Sequence, residues 1–238
     1  MSSAIEMGEA KIKQQRLNTS SCRCRSNRPA ATCCFDGLRW QKPAAQLNLR
    51  TLPAGASLER CYMRELASCE APISGEHLIS ESVIEVLRGD GDFTVSGLPW
   101  LEAGEIKKLA PKNLTANCLC TKHNSALSPI DNAAALFFSA LRECMEAKTA
   151  PNPYLLSGHD VERWLLKTLK AMAVLGNLAR GREKLPGAFQ RDIDIIRMLD
   201  DHLAWPEASG LYFIMPSGSR MMNHTRFQIQ TCGRRWIW

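Results

Sequence analysis

The sequence predicts an α+β protein in three parts: a small zinc-binding knuckle, a compact metal-stapled unit with helical insertions, and a mixed helix and strand C-terminal region. Three observations lead there. Ten cysteines occur, several in close pairs at metal-ligand spacing, which in a reducing compartment favours metal over disulfides. Short strand-like runs alternate with stretches of helical apolar periodicity. The 238 residues, 45% hydrophobic and 23% charged, fall in the globular range and suffice for one sizeable core or two small ones.

No targeting segment intervenes. Residues 1–15 lack an apolar core and so do not form a secretory signal. The most apolar stretch, 133–141, is far short of the ~18–20 residues that span a membrane. The expectation is a cytoplasmic protein with no membrane contact. Its net charge of +6 is concentrated: residues 11–50 hold nine Lys/Arg against one acid, Asp36, while 51–238 balance. A basic arm beside a neutral body suggests a polyanionic partner; a solvated tail is the other reading.

Along the chain, residues 1–20 are a polar, helix-prone leader. Cys22-Arg23-Cys24 follows, then Cys33-Cys34 after eight residues. Two thiolate pairs across a short loop can enclose one tetrahedral zinc. This pattern over 21–40 resembles the SEC-C motif, the zinc knuckle at the end of the SecA translocation ATPase. Where that family has Gly-Ser-Gly, this chain has Arg25-Ser26-Asn27, so its tight turn is made differently. The resemblance implies recruitment of a protein partner rather than chemistry.

Residues 41–58, with Pro43, Pro53, Gly55 and several Ala and Gln, read as a linker. A second unit, 59–148, opens with Cys61 and Cys69. After Glu76-His77, Ser80 is a candidate N-cap for a short helix with Val83, Ile84 and Leu87 on its apolar face, stopped by Gly89. Residues 93–100 and 114–120 are strand candidates. A helix from Thr121 should break at Ser128-Pro129, and a longer one over 131–148 carries Leu136, Phe137, Leu141 and Met145 on one face. Cys120-x-x-His123 completes a set of three cysteines and one histidine with Cys61 and Cys69, a zinc site of ordinary composition. Cys118 competes as a ligand but reads better as a core thiol.

The spaced features Cys61, Cys69, Glu76-His77, Asn113-Leu114 and Cys120-x-x-His123-Asn124 resemble the HNH, or His-Me finger, endonucleases in their zinc-stabilised form. His123 stands at the last zinc position, where the family variant has cysteine. The resemblance implies a ββα-metal finger that hydrolyses phosphodiester bonds in nucleic acid, with DNA the expected substrate. It implies His77 as general base, since histidine suits proton transfer near neutral pH. Glu76 and Asn124 would hold a catalytic Mg²⁺ or Mn²⁺. Asn113 would brace the loop bearing the base, with Asn117 a weaker candidate. Two structural zincs are implied in all. The alternative function is a non-catalytic zinc adaptor that binds nucleic acid or a protein.

The region 154–238 carries no recognisable chemistry and reads as an accessory. Ser157 and Asp160 suggest a capping box, and Val161, Leu165, Leu169 and Met172 one face of a helix ending near Gly176, with Trp164 in packing. Ile193, Ile196, Leu199 and Leu203 suggest another helix, and 211–215 and 226–231 strands. The abrupt ending 234–238 fits a truncated or frame-shifted version of a longer protein. His159, His202 and His224 receive no role, and Cys144 and Cys232 read as core thiols.

Overall fold

A computed structural model describes residues 11, 15–16, 19–50, 55–96, 101–146, 153–176, 179–180, 183–184 and 194–205. The strands expected over 211–215 and 226–231, the chain end, His224, Cys232 and most of the leader lie outside the described residues. The architecture is α+β, with small two-stranded sheets set among helices.

The central pair is antiparallel. Strand β1, Ile73–His77, lies against β4, Thr115–Cys120, with Ile73 opposite Cys120 and His77 opposite Thr115, and an irregularity between Ser74 and Glu76. Between them the chain forms α1, Glu81–Arg88, and a hairpin of β2, Thr94–Ser96, with β3, Ile106–Lys108. Helix α1 buries Val83 and Ile84 completely, but Leu87 is 57% exposed. Its last turn is tied instead by Arg142, which donates to the Val86 carbonyl at 2.7 Å. Gly89 closes the helix at φ 55°, in the left-handed region that glycine tolerates.

Helix α2, Thr121–Ala126, follows β4 directly, and α3, Ser128–Glu146, begins after one intervening residue. Pro129 therefore sits in the first turn of α3, where its missing N–H has no intrahelical partner to lose. The helix starts at Ser128 rather than at 131 for that reason. Its buried residues are Ile130, Ala134 and Ala140, whereas Met145 is 65% exposed. Small alanines on this face allow close approach to α1 and to α4, Gly158–Val174.

Ser157 caps α4 by accepting from the Asp160 N–H at 3.3 Å. The Asp160 carboxylate does not reach back to complete a box; it accepts from the Ala45 N–H at 3.0 Å. Helix α4 is buried nearly all round, including Arg163 and Lys167. Trp164 packs edge-on against Phe138 at 5.6 Å between ring centroids. Strands β5, Ala179–Arg180, and β6, Glu183–Lys184, form a minimal hairpin. Helix α5, Ile195–Asp200, is capped by Asp194 and buries Ile195, Ile196, Met198 and Leu199. Leu203, expected on its face, is 78% exposed.

One core joins these parts. Leu119, Leu127, Ile130 and Val83 meet Trp164 and Leu199, and Leu47 and Leu49 enter the same cluster. The described part of 41–58 is thus a strap packed into the core beside the β1–β4 pair rather than a solvated connector. Among the described residues, no helix is long and apolar enough to cross a membrane.

Candidate functional site

The end of β4 and the start of α2 bring Cys120 and His123 together because three residues of a nascent helix turn the chain back on itself. Cys120 is also the N-cap of α2, its sulfur accepting from the His123 N–H. A turn after Cys61 and a bridge between Ala56 and Cys69 bring the other two thiols to the same point. The ligand atoms of Cys61, Cys69, Cys120 and His123 lie within 4.8 Å of one another, and all four residues are buried. His123 Nδ1 is 3.4 Å from Cys61 Sγ, 3.8 Å from Cys69 Sγ and 3.2 Å from Cys120 Sγ.

The other ring nitrogen sets the tautomer. His123 Nε2 lies 3.1 Å from the Leu49 carbonyl, which can only accept, so the proton resides on Nε2 and the Nδ1 lone pair faces the three sulfurs. An outer carbonyl of this kind orients a metal-bound imidazole. Burial also holds the His123 pKa below its ordinary value, which favours the neutral ring that ligates metal. Three thiols and one such nitrogen in a tetrahedral-sized cluster fit a structural zinc. Cys118 stays outside the cluster, packed with Leu78 and Ala171. Burial, and then the Glu76 charge, push its thiol up to about 12.

A second group, Cys22, Cys24, Cys33 and Cys34, likewise has its sulfurs within 4.8 Å. Here the turn expected from Gly-Ser-Gly is made by Arg25 and Asn27, both in left-handed backbone at φ 59° and 58°. Ser26 Oγ and Arg28 Nη2 approach Cys33 Sγ at 3.2 and 3.4 Å. Burial raises the Cys24 pKa, but hydrogen bonds from Ser26 and the neighbouring thiols outweigh it and bring it to about 6. The composition fits a zinc knuckle with four thiolate ligands. The basic side chains around it are engaged as well as exposed. Arg23 lies over the Trp40 ring at 4.4 Å, and Arg25 lies over Tyr154 at 4.3 Å.

His77 stands at the end of β1, half-buried, and its Nε2 is buried with no hydrogen-bond partner among the described residues. Its neighbour Glu76 is 3% exposed. Asn124 on α2 donates from Nδ2 to Ser74 Oγ at 3.1 Å. Asn113 is exposed in the 3-10 turn Pro111–Leu114. The loop after His77 is braced there by backbone, the Leu78 N–H donating to the Leu114 carbonyl at 2.8 Å. Asn117 is an exposed residue of β4. The structure thus gathers Glu76, His77 and Asn124 on β1 and α2, but engages Glu76 and Asn124 separately. Glu76 contacts Lys167, and Asn124 contacts Ser74.

Sequence reasoning missed a buried polar network behind Glu76. Lys167 Nζ lies 2.5 Å from Glu76 Oε1, an ion contact rather than an aligned hydrogen bond. It also donates to Asp131 Oδ1 and Oδ2 at 2.6 and 2.8 Å. Ser80 donates to Asp131 and accepts from Trp164 Nε1 at 2.7 Å. Burial raises the Glu76 pKa, and the nearby Lys167 opposes that rise. The available signal was weak: Asp131 and Lys167 lie on helices whose charged positions ordinarily face water.

Comparison of the chain with protein-family models, with curated proteins and with solved structures found no match.

Proposed function

We propose that this chain is an HNH-type endonuclease that cleaves phosphodiester bonds in nucleic acid, DNA in the first instance, with His77 as general base. One observation carries the reading. The β1–β4 pair and α2 are built around the cluster of three cysteines and His123, and His77 ends β1 with a buried Nε2 that has no hydrogen-bond partner among the described residues. In hydrolysis the His77 imidazole accepts a proton from water as its oxygen attacks phosphorus, and the 3′-oxygen departs with the bond's electron pair; a buried Nε2 requires that the segment open to admit that water. The cluster holds the frame and takes no part in the proton transfer. The knuckle and the basic residues of 11–50 engage nucleic acid or a protein partner. A Mg²⁺ or Mn²⁺ ion remains part of the proposal as a requirement of the assay, and no step is derived through it, because Glu76 is engaged by Lys167 and Asn124 by Ser74.

A second reading, a non-catalytic zinc adaptor, is favoured by the same Glu76 contact, since a carboxylate held by lysine serves stability without chemistry. Cleavage of mixed DNA and RNA substrates with Mg²⁺ or Mn²⁺, against an EDTA control, separates the two. His77→Ala should reduce cleavage by about 10²–10⁴-fold while zinc content and nucleic-acid binding persist. A parent protein that never cuts leaves the adaptor.

A further inference from the structure

Lys167 is 1% exposed and reaches Glu76 from a helix far downstream in sequence. An ammonium has three protons and no lone pair. Here it faces three carboxylate oxygens, Glu76 Oε1 at 2.5 Å and both oxygens of Asp131 at 2.6 and 2.8 Å. The Asp131 carboxylate is held in turn by Ser80 and, through it, by Trp164. Two carboxylates facing one buried cation are the donor set a hard divalent ion takes from a protein. In this chain the cation is covalently part of helix α4. Removing the Lys167 charge leaves two carboxylates facing each other without a counter-ion, whereas removing either carboxylate leaves Lys167 paired with the other.

We infer that Lys167 is the resident cation of the Glu76–Asp131 pair, a positioning residue that withdraws Glu76 from divalent-ion binding and fixes the β1 segment bearing His77. The inference rests on the proposed active site only in singling out Glu76. Any ion that assists cleavage would then bind without this carboxylate.

The test is Mn²⁺ binding to zinc-loaded, full-length protein, followed by electron paramagnetic resonance, and it requires no cleavage. Glu76→Gln should leave the parent's Mn²⁺ affinity unchanged. Lys167→Met should gain Mn²⁺ affinity by roughly tenfold or more as two carboxylates become available, and Glu76→Gln with Lys167→Met should lose that gain. Lys167→Arg, which keeps the charge, should show none. A drop of about tenfold in affinity on Glu76→Gln alone would overturn the inference, as would a folded Lys167→Met protein with no gain. Should Lys167→Met fail to fold, the Glu76→Gln comparison decides by itself. Failure of the nuclease reading would appear separately, as a parent protein that binds Mn²⁺ or not but never cuts.

Discussion

Arg163→Ala should be among the most damaging single changes outside the metal sites. The Arg163 side chain is 0% exposed and meets acceptors from three parts of the chain. Its guanidinium donates to Asp160 Oδ1 at 2.5 Å, to the Ala45 carbonyl at 2.6 Å and to the Leu199 carbonyl at 3.1 Å. Among the described residues, truncation leaves the buried Asp160 carboxylate with only the Ala45 N–H, and leaves two carbonyls without this donor. Breaking a buried ion pair from one side costs about 3–5 kcal/mol. The orphaned carbonyls would add about 1–3 kcal/mol each if independent, but they share one site and relax together, so about 4 kcal/mol in total is the working value. With a urea dependence of about 2 kcal/mol per molar, the unfolding midpoint should fall by about 2 M. The assay is urea unfolding of zinc-saturated protein, followed by far-ultraviolet circular dichroism. Arg163→Lys should recover little, because a point charge cannot span acceptors that a planar fork reaches. A loss below about 1 kcal/mol for Arg163→Ala would refute the reasoning and mean that the strap and α5 are not pinned through this residue.

Removing residues 1–50 should weaken zinc affinity at Cys61, Cys69, Cys120 and His123 by at least about 10–100-fold, because His123 loses the Leu49 carbonyl and the core loses Leu47 and Leu49; competition with a chromophoric chelator measures it, and an unchanged affinity contradicts it. Replacing Arg23, Arg25, Arg28 and Arg39 by Gln should flatten the salt dependence of duplex-DNA binding, by about 0.9 in slope for each phosphate no longer engaged. An unaltered slope would make these residues bystanders. Trp164→Phe keeps the ring against Phe138 but removes the donor to Ser80, so it should cost about 1 kcal/mol in thermal unfolding. A neutral result would mean that the Ser80 hydroxyl is satisfied by Asp131 alone.

Much of the metal chemistry was legible because ligand spacing is a local property. Cys120-x-x-His123 needs only a strand end and a helix start, and both metal groups assemble from the expected residues. The stop at Gly89 and the cap at Ser157 were readable for the same reason. What could not be read depends on partners distant in sequence. The composition of 41–58 signals irregular backbone, yet nothing local says that Leu47 and Leu49 dock in a core formed by residues 61–199. Amphipathic reasoning places Arg163 and Lys167 on the solvent side of α4. Their actual acceptors, Ala45, Leu199, Glu76 and Asp131, come from four other segments. The same long-range closure turned Glu76 toward Lys167, a relationship that the Glu-His pairing does not encode.

The most direct test of the metal-stapled framework is elemental analysis combined with X-ray absorption at the zinc edge, on protein purified without chelator. The account predicts two zinc per chain, one in a four-sulfur shell from Cys22, Cys24, Cys33 and Cys34 and one with three sulfurs and a nitrogen from Cys61, Cys69, Cys120 and His123, at about 2.3 Å for sulfur and about 2.0–2.1 Å for nitrogen. Cys33→Ser with Cys34→Ser should leave the second shell alone and the finger folded. Well-folded protein without zinc, or with purely sulfur coordination in that double variant, would contradict it.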